Sequence, residues 1–415
     1  MTSARLRVLP ARADGPPVRV GVFGLLGSGN LGNDGSLDAV LRYLRAEHPD
    51  VVVDALCGGP ETVTARYGIA ATRLHWYRGE YRTASRAGAI AGKALGKAVD
   101  AVRTAAWVRR HDAVIVPGMG VLEATLPLRP WGFPYALFLL CASGRVLRTP
   151  VALVGVGAAP VRDRATRALV RWSGRLAAYR SYRDDLSRDA LREMGVDTSG
   201  DRVHPDLAFA LPAPEAGAGP GPVCVGVMDF HGGNDDRPRA EEIHRRYLDG
   251  TTGFVRALVE DGRRVRLLTG DACDAPVAAA ILDAVDSPLV SVSEAACLTD
   301  LMAETAAAGS VVATRYHNLV CALRTATPTL ALSYAAKSDA LMDRMGVGDH
   351  RHPAREVDAE QLLARFRALE KDAADVRQTL AEHLGEVRQQ LRSAFADLSR
   401  ALFSAAAPDE PRETP

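Results

Sequence analysis

Val18-Arg-Val-Gly-Val-Phe-Gly24-Leu-Leu-Gly27-Ser-Gly29-Asn30-Leu-Gly32-Asn33-Asp34-Gly-Ser36 decides the fold of this chain. A β-branched apolar run closes on a glycine loop, a helix is predicted from Ser36 to Glu47, and a second strand follows at Val51-Val-Val-Asp54. Strand, helix and strand in this order predict a parallel pair, because parallel strands need a crossover connection. Apolar runs at Ala113-Val-Ile-Val116 and Val151-Ala-Leu-Val154 extend the pattern. They predict a mostly parallel sheet covered on both faces, with its functional loops at the carboxyl ends of the strands.

The rhythm stops at the Pro/Gly/Ala stretch from Leu211 to Pro222, which suits neither a helix nor a central strand. It resumes at Val223–Val227, Arg263–Leu268, Leu289–Val292, Val311–Thr314 and Thr329–Leu332. Two Rossmann-like α/β domains are expected, over residues 18–212 and 223–350, after a flexible tail over 1–17. From Asp358 onward the chain reads as helix, with Gln361 placed as in a capping box. Val376, Leu380, Leu384, Val387, Leu391, Phe395, Leu398 and Leu402 make one apolar stripe. It is expected to pack the C-terminal helices, 355–404, back on the body, with a second copy of the chain as the alternative. Residues 405–415 are expected to be disordered.

The 415 residues carry 51 basic and 50 acidic side chains, a formal charge of +1, and are 47% hydrophobic. That balance fits a soluble globular chain and argues against nucleic acid as a partner; no zinc-finger, RNP-like or helix-turn-helix pattern is present. Cys57, Cys141, Cys224, Cys273, Cys297 and Cys321 are scattered without a C-x-x-C pair. Neither a disulfide framework nor a metal site is expected, and a reducing cytoplasm fits. Met1 to Pro17 lacks the apolar core of a signal peptide. The longest apolar run, Trp131 to Ala142, has roughly 12 residues where a bilayer span needs about 20, so a buried helix is predicted. Gly88 to Lys97, flanked by Arg86 and Arg103, reads as a surface helix or as a peripheral contact with an anionic membrane. The sequence leaves oligomeric state open.

Two loops carry the chemistry. Gly27, Gly29 and Gly32 satisfy G-x-G-x-x-G, and Asp54 stands where a ribose-binding acid belongs, so a nicotinamide enzyme is one reading. Val311-Val-Ala-Thr-Arg-Tyr-His-Asn-Leu-Val-Cys-Ala-Leu-Arg324 is a further strand-to-helix turn, with Arg315 and His317 at its corner. The first amides of a helix lack intrahelical partners and carry the positive end of its dipole, so a phosphate or carboxylate is favoured there before the Arg315 fork is added. Histidine is the residue type that moves protons near neutral pH. The structural alternative sets Arg315 on a carboxylate and His317 on a carbonyl.

Read as G-x-x-G-x-G-N-x-G-N-D, the stretch from Gly24 to Asp34 resembles the amino-terminal signature of the polysaccharide pyruvyl transferase family. Asp112-Ala-Val-Ile-Val-Pro-Gly118-Met-Gly120 resembles that family's strand and glycine run, and Val154-Gly-Val-Gly157-Ala-Ala-Pro160 its G-x-G-x-x-P turn. Arg183-Asp184-Asp-Leu-Ser187 is similar to its R-D-x-x-S segment, and Asp206-Leu-Ala-Phe209 to its D-P-A-F element. Arg315-Tyr-His317 matches R-x-H; Ser333-Tyr334 with Lys337 matches S-Y-x-x-K. The motifs keep the family's order over residues 18 to 347. Gly32-Asn33-Asp34 stands where the family has G-D-E, and Met119 interrupts the glycine run.

The resemblance implies a GT-B-like arrangement with a cleft between the domains, the first serving the acceptor and the second phosphoenolpyruvate. It implies transfer of a pyruvyl group from phosphoenolpyruvate to two hydroxyls of a sugar or glycoconjugate, forming a ketal, with phosphoenolpyruvate as co-substrate and no other cofactor. His317 and Asp34 are the expected catalytic residues, the first as acid or phosphate ligand, the second as base or else as cap of the Ser36 helix. Substrate binding is expected from Arg315, Arg183, Lys337, Asn30, Gly29, Gly32, Gly118, Gly120 and Asp206, with Asp206 and Glu123 as alternative bases. Arg183 and Lys337 read equally well as ion-pair partners of Asp184 and Asp339. The rivals are a nucleotide-sugar glycosyltransferase on the same architecture and a glycan-binding protein without catalysis.

Overall fold

The structure, a computed structural model, describes residues 17–76, 86–123, 130–215 and 221–403. The expected tails up to residue 16 and over 405–415, and linker residues 216–220, lie outside them. The chain divides into two compact units, Met1–Leu25 with Val40–His204 and Arg392–Pro415, and Leu26–Ala39 with Pro205–Leu391. Sequence reading assigned the first glycine loop to the N-terminal domain, whereas residues 26–39 cluster with the second unit. The reason lies in the loop's bonds: Leu31 N donates to Gly270 O at 3.1 Å and Asn30 Nδ2 to Asp271 Oδ2 at 2.7 Å.

In the first unit β1 (Arg19–Gly24), β2 (Val52–Cys57), β3 (Ala70–Arg73), β4 (Ala113–Pro117), β5 (Val151–Val156), β6 (Tyr179–Tyr182) and β7 (Arg202–Val203) form one parallel sheet. Their order is β3-β2-β1-β4-β5-β6-β7. Every residue of β4 and β5 is buried, which is why both read as unbroken apolar runs. The second unit holds β8 (Val223–Gly226), β9 (Val265–Leu268), β10 (Val290–Val292), β11 (Ser310–Ala313), β12 (Thr329–Ser333) and β13 (Arg351–Pro353), ordered β10-β9-β8-β11-β12-β13. All its pairings are parallel. Each sheet reverses direction of growth once, between β1 and β4 and between β8 and β11. Ligands of such sheets gather at the carboxyl ends beside that switch point.

The expected pair of Rossmann-like α/β domains with C-terminal helices is thus what the chain forms. The first helix starts at Leu31, a turn and more before the predicted Ser36. The apolar run predicted as a buried helix forms one over Phe133–Leu147, with Trp131 outside it and 63% exposed. Asp358 caps Ala359–Lys371 by accepting from Gln361 N at 3.0 Å. In Ala373–Leu402 the apolar stripe is buried within one chain except at half-buried Phe395, whose ring stacks on Tyr43 at 4.5 Å. Gly88 to Lys97 belongs to the helix Arg86–Val108. Among the described residues no helix is long and apolar enough to cross a membrane.

Candidate active site

β11 runs through Thr314 into Arg315, whose extended backbone (φ −63°, ψ 132°) stops the strand and opens the nine-residue helix Tyr316–Arg324. Arg315 lays its guanidinium on Asp274: Nε lies 3.1 and 2.8 Å from the two carboxylate oxygens, and Nη2 also reaches Oδ1. Nη1 stays outside this fork. Asp274 is fully buried and also accepts from the amides of Asp229 (3.0 Å), Gly270 (3.2 Å) and Asp271 (3.0 Å). Burial alone would discharge Arg315, but the Asp274 hydrogen bonds outweigh it and raise the guanidinium above its ordinary value. A permanently charged fork is held rigid at a helix amino terminus, with 19% of its side chain exposed.

His317 is the second residue of that helix, so its ring leaves the axis beside the first turn. It lies flat against Gly32: a Cβ on Gly32 would sit 1.9 Å from His317 Nδ1. Only glycine fits, and this gives the loop's third glycine a purpose apart from dinucleotide binding. His317 Nε2 lies 3.8 Å from Asp206 Oδ2, with Asp206 only 2% exposed. The other oxygen, Oδ1, caps the 3-10 turn Leu207–Ala210 by accepting from Ala208 N at 2.9 Å. Asp206 therefore stands within ion-pair distance of the imidazole but beyond hydrogen-bond reach.

The glycine loop completes this cluster. Gly27 (φ +68°) and Gly29 (φ +97°) adopt backbone conformations that suit glycine. Asn30 Oδ1 accepts from Gly32 N at 3.1 Å and Asn33 N at 3.2 Å, so Asn30 takes the capping role expected of Asp34. Asp34, 3% exposed, accepts from Gly27 N at 2.6 Å and closes the loop on itself. Gly29, Asn30, Gly32, Asp34, Asp206, Arg315 and His317 are thus gathered in one unit.

A separate cluster forms in the first unit. Gly118 (φ +53°) and Met119 (φ +64°) turn the chain after β4, and Gly157 N donates to Met119 O at 2.7 Å. The turn presents Glu123, whose Oε1 accepts from Arg183 Nη2 at 2.7 Å, both side chains almost wholly enclosed. Cβ atoms on Gly120 or Gly157 would lie 2.8 and 2.6 Å from the Glu123 carboxylate. Asp184 caps the helix Asp185–Glu193 and approaches Arg183 Nε only at 3.6 Å, so Glu123 is the nearer partner. Lys337, half-buried, lies 5.6 Å over the Tyr334 ring, while Asp339 is within 3.7 Å of Arg351.

Sequence reading missed Asp274 and Asn318. The signal for Asp274 was its spacing from Asp271 after the apolar end of β9, a capping pair the structure shows. Asn318 is fully buried between Gly226 and Gly270, and neither side-chain amide atom has a hydrogen-bond partner among the described residues. Asp54 is engaged elsewhere: Trp107 Nε1 donates to Oδ1 at 2.7 Å, and His111 Nε2 and Arg19 Nη2 approach Oδ2 at 2.9 and 3.2 Å. Burial pushes its carboxyl up, but these three partners together hold it below the ordinary value. It is part of the frame of the first sheet, which removes the acid that a nicotinamide reading needs.

The fold is shared with solved sugar-nucleotide proteins. UDP-GlcNAc 2-epimerase from Methanocaldococcus jannaschii superposes with TM-score 0.54 at 10% identity, covering 84% of this chain and 92% of its own. The Neisseria meningitidis epimerase bound to UDP-GlcNAc gives 0.55 at 10% identity over 91% and 99%. Anabaena HepE in complex with UDP-glucose gives 0.56 at 11% identity over 92% and 100%. A search of curated protein sequences returns no significant match. The fold defines the class as a two-unit α/β protein with two parallel, Rossmann-like sheets. Within it, the sequence profile of polysaccharide pyruvyl transferases matches residues 30–335, and the chain belongs to that family.

Proposed function

We propose that this protein transfers the pyruvyl group of phosphoenolpyruvate to two hydroxyls of a sugar or glycoconjugate precursor, forming a cyclic ketal. The observation that carries this is the Arg315–His317 turn, where a fixed cation, a helix amino terminus and a carboxylate-backed imidazole converge. A small acid bearing carboxylate and phosphate needs those elements. His317 gives its proton to the donor methylene, making C2 electrophilic; an acceptor hydroxyl oxygen bonds to C2 and the C2–O bond to phosphate breaks. The second hydroxyl closes the ring. One hydroxyl proton restores His317 and the other leaves on phosphate, so donor and diol become ketal and inorganic phosphate. Asp206 is the positioning residue of His317. Asp34 remains the candidate base for the acceptor, although its tie to Gly27 gives it a structural duty as well. We assign the reaction to the cytoplasm, with peripheral membrane contact where the acceptor is lipid-linked.

The fold neighbours crystallised with UDP-GlcNAc and UDP-glucose favour a second reading, transfer from a nucleotide sugar. One assay separates the two. Incubation with phosphoenolpyruvate and a panel of free, nucleotide-linked and lipid-linked sugars is expected to release phosphate only when the true acceptor is present. Release of UDP from a nucleotide sugar, with phosphoenolpyruvate untouched, supports the second reading instead.

A further inference from the structure

The helices Arg86–Val108, Phe133–Leu147 and Arg164–Leu176 follow β3, β4 and β5, and successive right-handed crossovers in one direction along the first sheet place all three on one of its faces. They pack side by side there. The first turns Gly96, Asp100, Thr104 and Trp107 inward, so Leu95, Ala98, Val102 and Ala106 point outward. The outward stripe of the second is Tyr135, Phe138, Leu139, Ala142 and Val146, with no charge in it. The third shows Ala165, Ala168 and Trp172. Nine large hydrophobic side chains stand exposed among the described residues, and six of them, Leu95, Val102, Trp131, Val146, Leu147 and Trp172, lie on these helices or in the turn before the second. Apolar residues exposed singly need no explanation; this concentration does.

The rim of this surface is basic. Lys93, Arg109, Arg145, Arg148, Arg164 and Arg175 are exposed along the flanks and ends of the helices. The one acid within the three helices is Asp100, 4% exposed and already paired with His75 at 3.2 Å and Lys97 at 3.5 Å. In a chain of 51 basic and 50 acidic residues, this face therefore holds far more than its share of positive charge. From this surface we infer that the protein docks peripherally on an anionic lipid bilayer, with the apolar stripes entering the headgroup boundary and the rim meeting the lipid phosphates. Trp131, 63% exposed, and Trp172, 50% exposed with Arg175 5.7 Å over its ring, are amphipathic anchors of the kind that collect at a membrane–water boundary. A second copy of the chain is a poorer occupant, because a two-fold contact would set the same cations against one another. The inference goes beyond the proposed reaction: lipid binding needs neither donor nor acceptor, and each can fail without the other.

The test sediments the untagged full-length chain with sucrose-loaded vesicles of phosphatidylcholine alone or mixed equally with phosphatidylglycerol. Saturable binding to the mixed vesicles only is expected, and it should weaken as salt is raised. Val102→Glu combined with Val146→Glu alters two side chains that are 71% and 79% exposed, so the circular dichroism spectrum should stay unchanged. Binding should weaken at least about tenfold in that variant. Arg109→Glu with Arg110→Glu should weaken it as much while leaving the apolar stripes intact. Wild-type protein that ignores anionic vesicles overturns the proposal, and so does undiminished binding in either folded variant. A dimer in analytical ultracentrifugation that the double-valine variant cannot form also overturns it, since the face would then belong to a second copy.

Discussion

Arg183 and Arg315 occupy equivalent kinds of place, each just beyond a parallel strand of a Rossmann-like sheet and each joined to a carboxylate. The resemblance ends at their surroundings. Arg183 and Glu123 are 3% and 6% exposed, enclosed by two glycines whose missing side chains make the room. Arg315 rests on an equally buried acid, but its own side chain is 19% exposed and it opens a helix beside His317. An ion pair therefore does not decide between structural and functional roles. What decides is whether the cation keeps a face toward solvent and what converges on that face. Arg183 is enclosed with its acid in the first unit, whereas Arg315 keeps an open face, as the proposed donor site requires.

The largest effect expected is on stability. Asp274→Ala leaves a partly enclosed guanidinium and three backbone amides without their acceptor, which should cost about 3–5 kcal/mol in urea unfolding. Glu123→Ala breaks one buried pair and should cost about 3–5 kcal/mol, most of it recovered when Arg183→Met is combined with Glu123→Leu. Equal recovery from Arg315→Met with Asp274→Leu would erase the contrast between the two arginines. Turnover comes next: His317→Gln should lower kcat by about a hundredfold to ten-thousandfold with little change in melting temperature. A melting drop matching the activity loss would reduce His317 to a packing residue.

Gly32→Ala is a smaller perturbation of the same contact. Its Cβ must displace the His317 ring, an overpacking that should cost about 1–3 kcal/mol and reduce turnover by moving the imidazole off Asp206. Activity retained in that variant would separate the glycine loop from the reaction. The smallest effect lies in the first sheet. Asp54 is held below its ordinary value, so its pairing stabilises the fold above about pH 4 and loses that contribution as pH falls through the lower folded value. The stability gap between wild type and Asp54→Asn should be widest near neutrality and close in acid. A gap that is flat across this range would contradict the assignment.

Sequence carried far in the sheets and less far at the joints. β1, β4, β5 and β11 are read directly because both of their faces are buried in apolar residues. β3, β6, β7 and β13 were not foreseen: they are short, lie at or next to sheet edges, and carry arginines or tyrosines in place of β-branched runs. The start of the first helix was misplaced because Gly32 and Gly35, poor helix formers, occupy its first turns. The motif at Arg315 and His317 was legible as a local strand-to-helix corner. Its partners were not, since Asp274 lies 41 residues upstream and Gly32 far earlier still, and no spacing rule links contacts made by folding. The same blindness hid the association of residues 26–39 with the second unit.

On the proposed reading, phosphoenolpyruvate binds at the Arg315–His317 turn. Calorimetric titration of phosphoenolpyruvate into wild type and into Arg315→Lys, which keeps the charge on Asp274 but not the fork, tests it most directly. Saturable binding that weakens at least about tenfold in the folded lysine variant is the predicted result. Equal affinity in the two proteins, or no binding to wild type, would contradict it.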